Sequence, residues 1–91
     1  MPQTRAVITT LHAERTLRRL CKHWAHRFEI ECGGTEARIA LPLGEARLRA
    51  GPDALTVEVT AEEAALPELR DVVARHVERF AVRETLRIDW A

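Results

Sequence analysis

The sequence predicts an α+β fold of two layers, in which two helices cover one face of an antiparallel sheet. Apolar residues recur every three or four positions in two stretches, residues 13–28 and 67–80, as they do on one face of a helix. Between these stretches, four short segments alternate apolar and polar residues, as strands with one buried face do. Glycine and proline separate the segments at distances that suit tight turns. The predicted order is β-α-β-β-β-β-α-β.

The first half of the chain contains a strand, a helix and the start of the meander. Residues 4–10 are rich in β-branched side chains and predict the first strand. Thr10 is the predicted N-cap of the first helix, because its hydroxyl can accept from an early helix N–H. The apolar stripe of this helix consists of Leu17, Leu20, Cys21, Trp24 and Phe28. A two-residue hairpin turn is predicted at Gly33-Gly34.

The second half completes the sheet and adds the second helix. Residues 28–32, 36–41, 45–50 and 55–59 are the four alternating segments of the meander. Pro67 fits the first turn of a helix that runs to Phe80, and residues 85–90 alternate as a final strand. The open face of the sheet is predicted to carry Glu29, Glu31, Arg38, Glu45, Arg47, Arg49, Glu58 and Arg87. This order resembles one repeat of the TATA-binding-protein-like fold.

Length and composition limit the class of protein. Ninety-one residues predict a single domain over 1–91. Fourteen basic and fourteen acidic residues give a formal net charge of zero, which argues against a general nucleic-acid-binding protein. No apolar run is long enough for a membrane span or a secretion signal, so the cytoplasm is the expected location. Two cysteines do not make a disulfide framework.

The charges are unevenly distributed along the chain. Residues 1–28 contain six lysines and arginines against one acidic residue, whereas the remainder is acidic overall. One face of the first helix is therefore predicted to bind an anionic small molecule or an acidic protein partner. The candidate residues are Arg15, Arg19, Lys22, His23 and His26. The alternative is a solvated face, paired in part with the acidic second half of the chain.

A metal site is a second hypothesis for the same helix. Cys21 and His23 lie roughly 160° apart around a helix, so they cannot chelate one ion. His23 and His26 can share an ion, but two ligands fall short of the four of structural zinc or the three usual in catalytic zinc. No metal or cofactor is therefore predicted in the monomer. A partner subunit in a homodimer could complete such a site.

His76 lies in the apolar stripe of the second helix and suggests a pocket. The favoured interpretation is a core histidine whose ring nitrogens are hydrogen-bonded, with Cys21 and Cys32 as small core residues that could approach each other. The alternative is a small enzyme with Cys21 and His76 in a pocket. The pocket candidates are Cys21, Trp24, His76 and Trp90. No known catalytic motif is present, so a non-enzymatic protein is favoured and no catalytic residue is assigned.

Two segments of the sequence resemble the bacterial family called domain of unknown function 2218. They are LCKHWAH at residues 20–26 and LRDVVARHVERF at residues 69–80, the second continuing through Arg83-Glu84 to Trp90. The chain departs from the family pattern at Thr16, where a tyrosine is expected. The resemblance implies a small accessory or binding module, found alongside siderophore-interacting reductases or iron-uptake functions. It makes His23, His26, His76 and Trp24 the first residues to test.

Overall fold

The order of secondary structure confirms the predicted α+β class. The computed structural model describes residues 2–81 and 86–90. Its elements are β1 (Gln3–Thr9), α1 (Ala13–Trp24), β2 (Ile30–Gly33), β3 (Glu36–Leu41), β4 (Gly44–Ala50), β5 (Ala54–Ala61) and α2 (Leu66–Phe80).

The strands form one antiparallel sheet in the order β1-β5-β4-β3-β2. Consecutive strands from β2 to β5 are neighbours, as the alternating segments predict. β1 lies beside β5 at one edge, with Ala6 opposite Val57, and the four-residue β2 forms the other edge. Buried residues alternate along β3, β4 and β5, so one face of the sheet points into the core.

Both helices pack on that buried face. α1 contacts β2 to β5, α2 contacts β4 and β5, and the two helices contact each other. The largest side chain of the core is Trp24 at the end of α1, which is 2% exposed. Leu17 and Leu20 of α1 and Leu69 and Val73 of α2 complete the interior against the sheet. Burial of these apolar stripes is the main source of stability for helices of this length.

The ends of α1 differ from the prediction. The helix stops at Trp24 and does not reach Phe28, because residues 25–27 form a turn in which the Phe28 N–H donates to the Trp24 carbonyl at 3.0 Å. His12 occupies the N-cap position and makes no side-chain cap. Thr10 does not occupy the N-cap position; its Oγ1 accepts from the backbone N–H of His12 at 3.1 Å, and His12 is the residue before the helix begins.

The predicted final strand is wrong over the part that the structure describes. Residues 86–90 have an irregular backbone with no strand pairing, and Thr85 lies outside the described residues. Leu86, Ile88 and Trp90 are half-buried and pack against the core, whereas Arg87 and Asp89 are exposed. The alternation in sequence therefore reflects alternating burial, which a chain lying across the core can produce without strand pairing.

Two glycines occupy positions that other residues would not fill well. The hairpin between β2 and β3 turns at Gly34-Thr35, one residue later than predicted, and Gly34 has a φ of 57°. Gly44 begins β4, where a Cβ atom would overlap the backbone carbonyl oxygen of Thr60 in β5. Close approach of these two strands therefore requires glycine at position 44.

Candidate functional site

Two histidines and two aromatic residues meet where α1 packs against α2. The ring of His23 lies 5.3 Å from that of His76 and 5.1 Å from that of Phe80, measured between centroids. The ring of Trp24 lies 5.3 Å from His76. We refer to His23, Trp24, His76 and Phe80 as the histidine cluster. The structure therefore brings together Trp24 and His76, two of the four predicted pocket residues, and adds His23 to them.

The local sequence explains how the cluster forms. His76 and Phe80 are four residues apart on α2 and so lie on one face of that helix. Trp24 extends from the last turn of α1 into the core, and His23 occupies the flank of the same turn. His23 is half-buried as a result, and it reaches His76 rather than His26. His26 lies beyond the end of α1 and is exposed, so the helical spacing assumed for a shared ion does not apply.

His76 has a defined hydrogen bond. Its Nδ1 lies 2.7 Å from the carbonyl oxygen of Val72, one turn earlier in α2. A carbonyl oxygen can only accept, so Nδ1 carries the proton and donates, which leaves Nε2 with a free lone pair in the neutral ring. The ring therefore has the predicted backbone partner, although it is half-buried instead of fully buried.

The surroundings of His23 disfavour its protonated form. Partial burial of the ring lowers the pKa of His23 from its ordinary value of 6.5, and the positive charges of His76, Arg79, His26 and Arg27 lower it further. His76 and Arg79 belong to α2, whereas His26 and Arg27 follow α1. His23 is thus a mostly neutral imidazole at neutral pH, surrounded by groups that would favour a negative charge nearby.

Other cations line the same junction. The guanidinium of Arg19 lies 3.5 Å from the carbonyl oxygen of Phe80, and that of Arg79 lies 5.4 Å from the centroid of the Phe80 ring. Within the described residues, Arg19, Lys22, Arg27 and Arg79 form no salt bridge. The predicted pairing of this face with the acidic half of the chain is therefore not seen there. We call Arg19, Arg27 and Arg79 the junction cations.

Arg15 lies apart from the junction cations. It is eight residues before His23, or about 12 Å along the helix axis, and it shares a shallow cavity of about 270 Å³ with Arg18 and Pro52. Arg15 is half-buried, and its Nε atom is buried without a hydrogen-bond partner in the described part of the chain. The structure thus divides the predicted anion-binding set, leaving Arg19, Lys22, His23 and His26 at the end of α1.

The two cysteines lie together on the other side of α1. Cys21 is buried at 8% exposure, and its Sγ lies 2.8 Å from the Sγ of Cys32. Burial raises the pKa of the Cys21 thiol to about 12, with further contributions from the hydrogen bond and the charge of Cys32. The thiol is therefore protonated at neutral pH, and no hydrogen bond joins it to His76 in the described structure, which disfavours the proposed Cys21–His76 pair.

The remaining predicted residues have mixed outcomes. Cys32 was expected in the core but is exposed, because β2 is a short edge strand with little cover. Trp90 is half-buried against the core. Arg27 and Arg79 were not predicted as site residues. The spacing of Arg79, three residues after His76, is the signal that could have found it.

The open face of the sheet has a different arrangement of charge. Arg38 on β3 donates to Glu31 on β2 and to Glu45 on β4, with N–O distances of 2.9 Å in both cases. Arg49 on β4 pairs with Glu36 on β3 at 3.0 Å. All of these residues except Glu45 line a shallow concavity of about 590 Å³, in which positive and negative side chains alternate across neighbouring strands. We call this surface the paired sheet face.

Two general features of the described structure bear on the site. No helix among residues 2–81 and 86–90 is long and apolar enough to cross a membrane. In the same part of the chain, no group of three or more His, Cys, Asp or Glu side chains is placed to hold one metal ion.

Comparison with known proteins identifies the family of the chain and a similar solved structure. A search of curated proteins finds no match. Among solved structures, the chain is similar to the NMR structure of PA4090 from Pseudomonas aeruginosa, with 34% sequence identity and a TM-score of 0.83. That alignment covers 100% of this chain and 96% of PA4090. The family of uncharacterised proteins conserved in bacteria, DUF2218, matches residues 5–91, and the chain therefore belongs to that family.

Proposed function

We propose that the protein is a non-enzymatic binding module that takes up an anionic ligand at the junction of α1 and α2. The observation that carries the proposal is that Arg19 and Arg79 both lie beside Phe80, whose ring packs against His23, and that neither arginine has an acidic partner among the described residues. Like charges held close together without acidic partners repel one another. A negatively charged ligand would relieve this repulsion and would form charge-assisted hydrogen bonds with the same groups.

The side chains of the junction suit a ligand with a flat, partly apolar body. The rings of His23, His76 and Phe80 provide apolar and aromatic surface, while Arg19 and Arg79 provide flexible cationic groups at its border. Such a combination binds an aromatic anion better than a small inorganic ion, because ring contacts add to the attraction between charges. An anionic ferric siderophore of the catecholate type has both properties. We propose it as the ligand class, in keeping with the iron-uptake context that the family resemblance implies.

Titration with a ferric catecholate chelate tests this proposal directly. Trp24 contacts His76, so its fluorescence is expected to change as the ligand binds. Arg79→Glu is expected to weaken binding about tenfold at low salt, and added salt is expected to weaken binding to the unmodified protein.

Arg18→Glu is the matched control, because Arg18 lies on α1 with the same charge but lines the separate cavity beside Arg15. It should leave the affinity within about twofold of the unmodified protein, the range typical of a distant surface charge. Equal loss of affinity in both variants would mean that net charge alone governs binding and would refute a site at the junction. Binding that is unchanged in both would refute the proposal as a whole.

A second candidate is metal binding, now by His23 with His76 instead of His23 with His26. The favouring observation is the hydrogen bond of His76 to Val72, which presents Nε2 as a possible ligand in the manner of metal-bound histidines. Two imidazoles give only a weak site. Titration with Zn²⁺, monitored by NMR of the histidine ring protons, distinguishes the candidates. Equal shifts in His23 and His76, lost in His76→Phe, would support the metal, whereas shifts in His26 alone would exclude this pair.

A further inference from the structure

Two cysteine thiols meet outside the histidine cluster, between α1 and the edge of the sheet. Cys32 stands opposite Ala37 in the β2–β3 register, and Ala37 is buried, so the Cys32 side chain points toward the helices. There its Sγ meets the Sγ of Cys21 at 2.8 Å. Both cysteines are free thiols in the described structure, with no covalent bond between them.

We propose that Cys21 and Cys32 form a reversible intramolecular disulfide, with Cys32 as the sulfur that first reacts with an external oxidant. The two sulfur atoms are 2.8 Å apart, while a disulfide bond is about 2.05 Å long. Closing that gap takes a movement of less than about 1 Å. β2 can make this movement because it is a four-residue strand that has a neighbour on one side only in the described sheet.

The different exposure of the two thiols sets the order of the reaction. Cys32 is exposed and Cys21 is buried, so a small-molecule disulfide such as oxidised glutathione can reach only Cys32. The Cys32 thiolate attacks one sulfur of that disulfide and forms a mixed disulfide. One glutathione leaves as a thiolate and takes up a proton.

Cys21 completes the exchange. It releases its proton to solvent and attacks the Cys32 sulfur, and the second glutathione leaves as a thiolate and is protonated. Two protein thiols are oxidised and one small disulfide is reduced to two thiols. The hydrogen bond and the charge of Cys32 that help raise the Cys21 pKa are lost once Cys32 is in a mixed disulfide, which favours this second step.

The bond would change the segment next to the histidine cluster. It would join the last turn of α1 to β2 and close a loop over the intervening residues, which include His26 and Arg27. The same loop includes His23 and Trp24, so oxidation would restrict the motion of the α1 side of the histidine cluster as well.

Incubation of the whole protein with oxidised glutathione, followed by intact mass spectrometry, tests the proposal. The expected product is a monomer lighter by two hydrogen atoms, with both thiols unreactive toward an alkylating reagent and both restored by a reductant. Cys21→Ala is the matched variant, in which Cys32 should accumulate as the glutathione adduct because no second thiol resolves it.

Three results would overturn the proposal. The unmodified protein could accumulate the glutathione adduct as Cys21→Ala does, it could form a disulfide-linked dimer, or it could keep two free thiols. Cys32→Ser removes the thiol that is proposed to react first. The variant should still fold, because position 32 is exposed. A Cys32→Ser protein whose Cys21 reacts with oxidised glutathione as fast as the unmodified protein would also contradict the assigned order.

Discussion

The paired sheet face and the helix junction hold arginines in opposite ways. On the paired sheet face, Arg38 and Arg49 contact glutamates of neighbouring strands at 2.9–3.0 Å. At the junction, Arg27 and Arg79 have no such partner in the described structure and act on His23 instead. Paired charges on a surface serve the fold to a modest extent, whereas unpaired charges gathered in one place cost some stability. This difference is the reason for proposing the junction, and not the paired sheet face, as the ligand site.

The largest expected effect concerns the core beneath the junction. Trp24→Ala should destabilise the protein by roughly 3–5 kcal/mol, because it empties a fully buried position, and Trp24 is 2% exposed. Chemical denaturation followed by circular dichroism measures this. Trp24→Phe retains most of the volume and should cost clearly less. A loss of stability below about 1 kcal/mol for the alanine variant would contradict the burial of Trp24. It would also put in question the packing of Trp24 against His76 in the histidine cluster.

The sheet beneath the paired face should be intolerant of added volume at one point. Gly44→Ala places a Cβ against the Thr60 carbonyl, so β4 and β5 must separate at a cost of about 1–3 kcal/mol. Gly33→Ala is the control, because its Cβ would meet no atom within 4 Å. Thermal unfolding of the two variants gives the comparison. Equal midpoints would show that the strands approach less closely than described.

Removal of one arginine from each region tests the comparison itself. Arg38→Ala should cost up to about 1 kcal/mol, since it breaks two ion pairs that are partly exposed, and the cost should shrink in high salt. Arg27→Gln should change stability by less than about 0.5 kcal/mol in either direction, because no pair is lost. Denaturant titrations at two salt concentrations measure both. A greater loss of stability in Arg27→Gln than in Arg38→Ala would show that the junction, and not the paired sheet face, uses its arginines to stabilise the fold.

The smallest expected effect is the dependence of stability on pH through His23. The pKa of this ring is lowered in the folded protein, so the unfolded chain binds a proton more readily as pH falls below 6.5. With respect to this ring, the free energy of unfolding is therefore highest above pH 6.5. It decreases as the pH falls from 6.5 through the folded-state pKa of His23. His23→Gln should make unfolding less sensitive to pH in this window. If the free energy of unfolding depends on pH in His23→Gln as it does in the unmodified protein, His23 is excluded as the source of that dependence.

Periodicity predicted the sheet and both helices because their amphipathic patterns persist over many residues. The same reasoning failed at residues 86–90, where alternation reports burial but not pairing. It also placed Cys32 in the core, since a sequence does not reveal that β2 is the sheet edge. The contact of His23 with His76 joins residues more than fifty positions apart. It depends on how α1 and α2 cross, which neither helix pattern specifies on its own.

The position of β1 has a consequence for how the chain reaches its native state. Among the described strands β1 pairs only with β5, so Gln3 must meet Thr60 across most of the sequence, whereas β2 to β5 form successive hairpins. Hairpins close over short loops and form in microseconds, while the pairing of β1 with β5 has a larger unfavourable loop-closure entropy. The meander is therefore expected to assemble first and β1 to dock last. Substitutions in β1 should accelerate unfolding, and those in the hairpins should slow folding.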